Sequence, residues 1–280
     1  NNTVLEDFKG FQAGGINNTV KGSVKGWQVA GIYNHTRDSV TGVQVGGVGN
    51  FAGKRVNGVQ IAGVTNIAVR RVNGTQIAGV VNWSHREING TQIAGVVNYA
   101  KSMRGVMIGL INIADTIDGY SVGLINIIFK GYHKLSAYAT ESQHFNLAFK
   151  TGSTRLYNIL QAGMNVNTDE KLFSFGYGLG SENRIIKNWL TVNPELTSSY
   201  IYAGSWDYFN LLMKVSANIN IKLGKYISLF GGPSYNAFYS DQNAPVPGYT
   251  NLHAPGKFNA HRLNDQIKGW IGWNAGINIF

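Results

Sequence analysis

Two stretches of the sequence place a histidine close to a serine, the combination that nucleophilic catalysis uses. His133 precedes Ser136 by three residues, and Ser142 precedes His144 by two. A histidine activates a serine hydroxyl when both side chains reach the same space. The sequence contains no G-x-S-x-G, H-E-x-x-H or phosphate-binding loop that would support such a site. We therefore predict that the protein is not an enzyme, and a lipid-modifying activity is the alternative that these pairs leave open.

The second half of the chain carries charged residues on the polar faces of alternating segments. Glu195 is the acidic member, and the basic members are Lys134, Lys150, Lys214 and Lys268. We expect them to form a salt-bridged network that fills a small barrel. Two further histidines, His253 and His261, fall in a long loop between Asp241 and Gln266. Because the chain has no cysteine, it offers no thiolate ligand or nucleophile, and we predict neither a metal site nor a cofactor.

A third candidate is a set of basic residues in the first half. They lie in variable stretches between a repeated Asn and a repeated Gly: Arg37, Lys54, Arg55, Arg70, Arg71, Arg86, Lys101 and Arg104. A solvated basic edge would deter association between sheet edges, whereas a basic stripe would bind an anionic partner such as lipid phosphates or an acidic protein. Both interpretations stay open. Nucleic acid is not predicted, because the nearby Phe51, Trp83 and Tyr99 share a slot with isoleucines that fits a packing ladder.

The elements that position these basic residues come from an internal repeat. One Gln recurs every sixteen residues: Gln12, Gln28, Gln44, Gln60, Gln76 and Gln92. A Gly follows each Gln by three residues and an Asn follows that Gly by three more, as in Gln60, Gly63 and Asn66. Two further units are spaced by fourteen residues and contain Asn112 and Asn126. The unit reads G-V-Q-I-A-G-V-x-N-φ-A, and eight units fill roughly residues 10–131.

This repeat fits two all-β architectures. Each unit divides into two short strands with two corners, so parallel stacking would give a β-solenoid in which Gln lies above Gln and Asn above Asn. An alternation about ten residues long, as in Val59–Ala68, also fits one strand of a membrane barrel, and the whole chain would then form a barrel of about sixteen strands. The same short V-N-G turn recurs in the units, whereas antiparallel barrels have unlike ends. We therefore predict the solenoid and keep the large barrel as the alternative.

After Gly131 the pattern changes to longer alternating segments. In Leu211–Leu223 one face is apolar and the other carries Lys214, Ser216 and Asn218. We predict eight strands: Lys134–Thr140, Phe145–Lys150, Arg155–Val166, Phe173–Gly180, Leu190–Tyr202, Leu211–Leu223, Ile227–Tyr239 and a last strand ending at Ile279. Short turns at Thr151–Ser153, Ser181–Asn183 and Leu223–Lys225 alternate with longer loops, which is typical of an outer-membrane barrel. The sequence thus predicts a repeat domain, 1–131, and an eight-stranded barrel, 132–280.

Composition agrees with an ordered all-β chain and excludes other classes. The 280 residues include 36 Gly and 5 Pro, 12% are aromatic and only 14% are charged. Disordered chains are poorer in aromatics and richer in charge. The formal net charge is +10, and basic residues exceed acidic ones in both halves. The charge therefore does not single out one domain as the binder of an anion.

The repeat resembles the bacterial "surface repeat" proteins of leptospires, Bacteroidetes and myxobacteria. The resemblance rests on the G-V-Q-I-A-G-V-x-N-φ-A and later G-L-I-N-I units, with F-N-L-A-F-K-T-G-S-T-R-L-Y-N-I-L-Q-A-G at Phe145–Gly163 and F-G-Y-G-L-G at Phe175–Gly180. It implies an outer-membrane or surface location in a bacterium with two membranes, and it implies no activity or functional residue.

We therefore predict a non-enzymatic protein of the bacterial outer membrane. The repeat domain would lie in the periplasm and bind another envelope protein as a scaffold or accessory subunit, while the barrel contacts outer-membrane lipid. A passive pore is the alternative if the chain forms sixteen strands.

Overall fold

Every regular element in the described part of the chain is a β-strand. The computed structural model describes residues 1–165, 171–186, 189–242, 244, 246–250, 260–264 and 266–280. The chain forms two units, Asn1–Gly131 and Tyr132–Phe280. Val166 and His253, which the sequence assigns to a strand and a loop, lie outside the described residues.

The first unit contains fourteen strands. They are β1 (Asn2–Val4), β2 (Phe8–Gly14), β3 (Asn17–Val20), β4 (Val24–Ala30), β5 (Tyr33–Thr36), β6 (Val40–Gly46), β7 (Gly49–Ala52), β8 (Val56–Ala62), β9 (Thr65–Ala68), β10 (Val72–Ala78), β11 (Val81–Ala94), β12 (Val97–Ile108), β13 (Ile111–Val122) and β14 (Ile125–Ile128). Most have seven residues or fewer, and three longer ones, β11 to β13, continue around the corner between the two sheets.

These strands form a solenoid of about eight coils, as predicted. The odd-numbered strands β1 to β9 stack in parallel on one face, and the even-numbered strands β2 to β10 stack on the other. Strands β11 to β13 contribute to both faces. Residues pair sixteen apart, for example Gln60 with Gln76 and Asn66 with Asn82. The alternative barrel of about sixteen strands is wrong, because each unit turns back over its own length and pairs in parallel with the next coil.

Two buried ladders of side-chain amides run through the solenoid. Asn66 Nδ2 donates to Asn82 Oδ1 at 3.0 Å and to the carbonyl oxygen of Ile77 at 2.7 Å. The same contact repeats in eight steps from Asn2 to Asn126. The glutamine ladder donates in the opposite direction, since Gln76 Nε2 binds Gln60 Oε1 at 2.8 Å. The Gln and Asn slots are therefore uniform because each amide supplies a partner to the next coil.

One column of glycines allows the coils to approach this closely. The glycine two residues before each glutamine has a positive φ, for example 136° at Gly74. A β-carbon at Gly74 would lie 2.0 Å from the carbonyl oxygen of Gly58 in the preceding coil. Any other residue there would be strained in its backbone and would separate the two coils.

The fourteen-residue units arise from one missing residue at each corner. At the first corner His85 and Arg86 lie opposite the single residue Lys101, and the register shifts between Ser84 and Glu87. At the second corner, the buried alanine that follows Gln-Ile has no counterpart between Ile108 and Gly109. The core of valines, alanines and later Met103 and Met107 continues through the shorter coils.

The described residues of the second unit form ten strands, of which eight close a barrel. They are β15 (Tyr132–Thr140), β16 (Phe145–Gly152), β17 (Tyr157–Asn165), β18 (Leu172–Gly180), β19 (Asn183–Ile186), β20 (Leu190–Tyr202), β21 (Asn210–Lys222), β22 (Ile227–Ser240), β23 (His261–Arg262) and β24 (Ile267–Ile279). Neighbouring barrel strands are antiparallel, and β15 pairs with β24 to close the sheet. Strands β19 and β23 are short additions that pair with β20 and β24.

The predicted eight-stranded barrel is thus confirmed, with one correction in its connections. The sequence assigned a short turn to Ser181–Asn183, but Asn183 begins β19, so the chain reaches β20 only at Leu190. The sequence missed β19 because its apolar Ile185 and Ile186 do not alternate with polar residues.

The barrel is apolar outside and mainly polar inside. In β21 the outward-facing Met213, Val215 and Ile219 are exposed, whereas Lys214 and Asn218 on the inner face are buried. A water-soluble barrel has the opposite arrangement, with its apolar residues packed in the interior. Strand β21 therefore has its apolar face outside and its polar face inside, as its sequence alternation predicts.

Candidate functional site: the charged edge of the repeat domain and the barrel interior

The charged edge of the repeat domain is the set of eight predicted basic residues with the acidic residues between them. All eight side chains are exposed. Seven occupy the corner that leads from the asparagine-bearing strand to the glutamine-bearing strand. Arg104 lies further along β12, in register with Asn89 and Asp118. The structure therefore aligns most of the predicted set along one edge.

Acidic residues partly neutralise this edge. Lys54 Nζ lies 2.9 Å from Asp38 Oδ1, and Arg71 Nη2 lies 2.6 Å from Glu87 Oε2. Each pair joins neighbouring coils, so the charges also hold the coils together at this corner. Because both pairs are exposed, each stabilises the fold by about 0–1 kcal/mol.

The edge contains an open groove of about 500 Å³. Its lining comes from the coils around the register shift: Arg71, His85, Arg86, Glu87, Lys101, Ser102, Asp115, Thr116 and Lys130. The coil after the shift is one residue shorter, so its corner does not extend as far as the corner before it. Three of the eight predicted residues, Arg71, Arg86 and Lys101, line the groove, and Arg37, Lys54, Arg55, Arg70 and Arg104 do not.

Sequence reasoning missed Lys130 as a member of this site. The Lys130 amide donates to the carbonyl oxygen of Asp115, which continues the corner by one more coil. Counting four residues on from Asn126, as from Asn66 to Arg70, would have found it. His85 was missed because only Lys and Arg were considered for the edge.

An outward-facing aromatic slot lies beside the charged edge. His35 stacks on Phe51 with ring centroids 4.9 Å apart, and Trp83 stacks on Tyr99 at 4.0 Å. These contacts form short ladders along the solenoid, as the shared slot predicts. Trp83 remains 42% exposed, so the ladder packs on the outer surface and not in the core.

Among the described residues, two ion pairs of the barrel interior have both partners buried. Glu195 accepts from Lys150 Nζ, from Tyr157 Oη at 2.7 Å and from Asn218 Nδ2 at 3.2 Å. The second pair joins Lys134 to Glu182.

Asparagines and a terminal ring complete this network. Lys214 donates to Asn274 at 3.3 Å. Lys134 and Lys222 lie over the ring of Phe280, with Nζ 4.6 Å and 5.4 Å from its centroid. A space lined by Glu195, Lys150 and Lys214 has a volume of only about 20 Å³, which is room for about one water molecule. Polar side chains therefore fill much of the interior, as predicted, although Lys134 pairs with Glu182 instead of Glu195. An apolar cluster is buried there as well, formed by Leu172, Ile201, Leu212, Phe238 and Trp270.

His133 and Ser136 do not form the catalytic pair that their spacing allows. Ser136 is buried and donates to Asn278 Oδ1 at 2.6 Å, whereas His133 lies on the opposite face of β15, 3.4 Å from Thr151 Oγ1. Ser142 Oγ lies 3.3 Å from Thr140 Oγ1. Since His133 and Ser136 point to different sides of the sheet, they cannot act as base and nucleophile for each other.

His261 also has a structural neighbour, because its Nε2 lies 3.0 Å from Tyr235 Oη. Within the described residues, no group of three or more His, Cys, Asp and Glu side chains could hold a metal ion. None of the described segments is a helix with the length and apolar character needed to cross a membrane.

Comparison of the chain with protein-family models, curated proteins and solved structures finds no match. The resemblance to surface-repeat proteins therefore stays a prediction.

Proposed function

We propose that this protein resides in the outer membrane of a bacterium with two membranes, where its barrel serves as a lipid-embedded anchor. The observation that carries the proposal is the inverted polarity of the barrel. Val215 and Ile219 are exposed on its outer face, and Lys150 and Glu195 are buried and paired inside. Exposed apolar strands stay in water only at a large cost, and a closed sheet satisfies its backbone polar groups in lipid.

The repeat domain is a non-enzymatic docking platform for an acidic envelope protein. Its groove carries Arg71, Arg86, Lys101 and Lys130 against the acidic Glu87 and Asp115. An anionic surface with a few basic residues of its own matches this charge pattern, and long-range attraction would steer the partner to the edge. The chain enters the barrel at Tyr132, and its β24 ends at the same end of the barrel because β15 and β24 are antiparallel. That end would face the periplasm.

A charge reversal in the groove tests the docking function. The variant Arg86→Glu, Lys101→Glu and Lys130→Glu leaves the Arg71–Glu87 pair in place. The matched control, Lys9→Glu, Lys21→Glu and Lys25→Glu, makes the same charge change in the first coils. Cross-linking in native membranes followed by purification of the tagged full chain should return one partner with the wild type and the control, and lose it with the groove variant. Recovery of the free monomer alone from wild-type membranes would overturn the function.

Ionic strength gives a second measurement. Charged groups on an exposed edge are screened over about 8 Å at physiological salt. The purified complex should dissociate progressively as salt rises, and partner binding that is indifferent to salt would contradict recognition through the groove.

A further inference from the structure

From the residue before each glutamine to the residue after each asparagine, the surface of the repeat domain carries no Asp, Glu, Lys or Arg. The residue after the second glycine of each coil is Ile, Val or Leu, from Ile16 in the first coil to Leu124 in the last. We call these eight residues the aliphatic corner. Each is exposed by at least 38%, as at Val80, and by up to 49%, as at Ile16. The outward-facing positions on both sides, such as Ile77 and Val81, are mostly apolar, with Asn17 and Thr65 as the polar members. The apolar surface therefore wraps around the corner onto both sheets.

Aromatic residues lie between this corner and the charged edge. Both tryptophans of the domain, Trp27 and Trp83, face outward and are 55% and 42% exposed. Phe51, Trp83 and Tyr99 occupy the outward position on the side of the charged edge, whereas Tyr33 lies next to the aliphatic corner. In the coils that carry such a ring, charge, aromatic ring and aliphatic side chain thus follow one another, which is the order of residues across a membrane interface. Strands β8 and β9 have valine and isoleucine at these positions instead.

The backbone polar groups of the inner coils are paired with neighbouring coils within the stack. Strand pairs β8–β10 and β10–β11 are in parallel register along their whole length, and corner amides such as those of Gly79 and Val80 donate to the preceding coil. The Asn and Gln side chains are buried in their ladders. A segment can enter hydrocarbon only when its backbone polar groups are paired in this way.

We infer that the aliphatic corner of the repeat domain lies in the acyl-chain region of one membrane leaflet, with the charged edge at the level of the phosphate headgroups. The inference rests on the proposed membrane location of the barrel. Basic residues of the edge complement the anionic phosphates, and the groove remains open to water for the protein partner.

Lipid fits this surface better than a protein does. Eight coils at about 4.8 Å give a corner about 40 Å long, and the apolar flanks extend to both sides of it. Such a surface exceeds the few hundred Å² that a soluble monomer usually exposes. It is also convex, so a protein partner on one sheet would leave the other sheet in water. A bilayer surrounds both flanks at once.

Spin labels at single cysteines test the inference, because the chain has no cysteine of its own. The full chain is reconstituted in nanodiscs of phosphatidylethanolamine and phosphatidylglycerol. Val80→Cys places the label at the aliphatic corner. Its matched control, Asn73→Cys, places it at an exposed position near the charged edge of the same coil. Val215→Cys reports on the outer face of the barrel. Collisions with oxygen, which concentrates in lipid, are compared with collisions with a water-soluble nickel chelate.

We expect oxygen to dominate at Val80→Cys and Val215→Cys, and nickel to dominate at Asn73→Cys. If nickel reaches Val80→Cys as readily as Asn73→Cys while Val215→Cys stays in lipid, the repeat domain lies in water and the inference is overturned. A label at Val80→Cys that neither reagent reaches would mean that protein covers the corner, which also overturns it. Nickel dominance at Val215→Cys would overturn the proposed anchoring function itself.

Discussion

Gln92 lies in register with Met107, and no donor among the described residues reaches its buried Oε1. The glutamine ladder donates towards the N-terminal coils, so each Oε1 depends on the amide of the next coil. Met107 has no side-chain amide, so the glutamine ladder ends there and Gln92 Oε1 is left as an unpaired acceptor. The asparagine ladder continues to Asn126, where Ser121 Oγ donates to the last Oδ1 at 2.5 Å. The two ladders therefore end differently.

The unequal ends predict unequal effects of one substitution. Gln60 donates to Gln44 and accepts from Gln76, so Gln60→Met leaves a buried acceptor and a buried donor unpaired. Gln92→Met leaves Gln76 Oε1 unpaired and also removes the 3.3 Å hydrogen bond from Gln92 Nε2 to the Tyr99 carbonyl oxygen. It also removes Gln92 Oε1, which is already unpaired in the wild type. Because each unpaired group costs about 1–3 kcal/mol, we expect Gln60→Met to lower the free energy of unfolding by about 2 kcal/mol more. Hydrogen exchange of amides in residues 1–131 measures the difference. Equal losses would refute the dependence on ladder position.

The glycine three residues after each glutamine forms a second column in the stack. Glycine should be required in this column only where another coil lies beneath it. A β-carbon at Gly79 would lie 2.1 Å from the carbonyl oxygen of Gly63, whereas at Gly15, the same slot in the first coil, it would meet no atom within 4 Å. We expect Gly79→Ala to destabilise the domain by about 1–3 kcal/mol through coil separation. Gly15→Ala should change stability by less than about 0.5 kcal/mol. Hydrogen exchange is again the readout, and a tolerated Gly79→Ala would show that the stack can expand.

Breaking the buried Lys150–Glu195 ion pair should destabilise the barrel more than replacing both of its charged residues. Glu195→Gln leaves the Lys150 ammonium group buried without its carboxylate, which costs about 3–5 kcal/mol. The double variant Lys150→Met and Glu195→Gln removes the charge and keeps an acceptor for Tyr157 Oη. We expect it to recover most of the lost stability, measured by urea unfolding of the barrel in detergent micelles. If the double variant is as unstable as Glu195→Gln, the lost stability does not come from the unpaired Lys150 ammonium group.

Depth along β21 gives a test of the barrel as an anchor. Val215 lies near the middle of the strand and Leu211 near its start. An arginine at the membrane midplane costs about 2–4 kcal/mol and near the interface about 0–1 kcal/mol. Val215→Arg should therefore fold into lipid vesicles with a much lower yield than Leu211→Arg, as read from the gel mobility of folded and unfolded chains. Equal yields would count against an outer face in lipid.

The parts of the fold that depend on periodic spacing were predictable from the sequence. Ladders follow from identical residues at a constant interval, because parallel stacking brings Gln60 next to Gln76 and Asn66 next to Asn82. The barrel strands followed from alternation, as in β21. The alternation also located Lys150 and Glu195 on the inner face.

The parts that depend on irregular features were not predictable. The groove exists because the register shifts between Ser84 and Glu87, and a repeat pattern averages such a shift away. The partner of Lys134 was missed because Glu182 lies in a connection, where alternation gives no information about direction. The Lys54–Asp38 and Arg71–Glu87 pairs were missed because each joins residues sixteen apart in variable slots.

The opposed directions of the two amide ladders have an electrostatic consequence. Asn66 points its N–H towards the later coils and Gln76 points its N–H towards the earlier ones. Each side-chain amide is a dipole, so one column offsets the other in every coil that contains both. Adding or deleting a whole coil then leaves the polarisation of the rod almost unchanged, and its length can vary by duplication without a growing field at its ends.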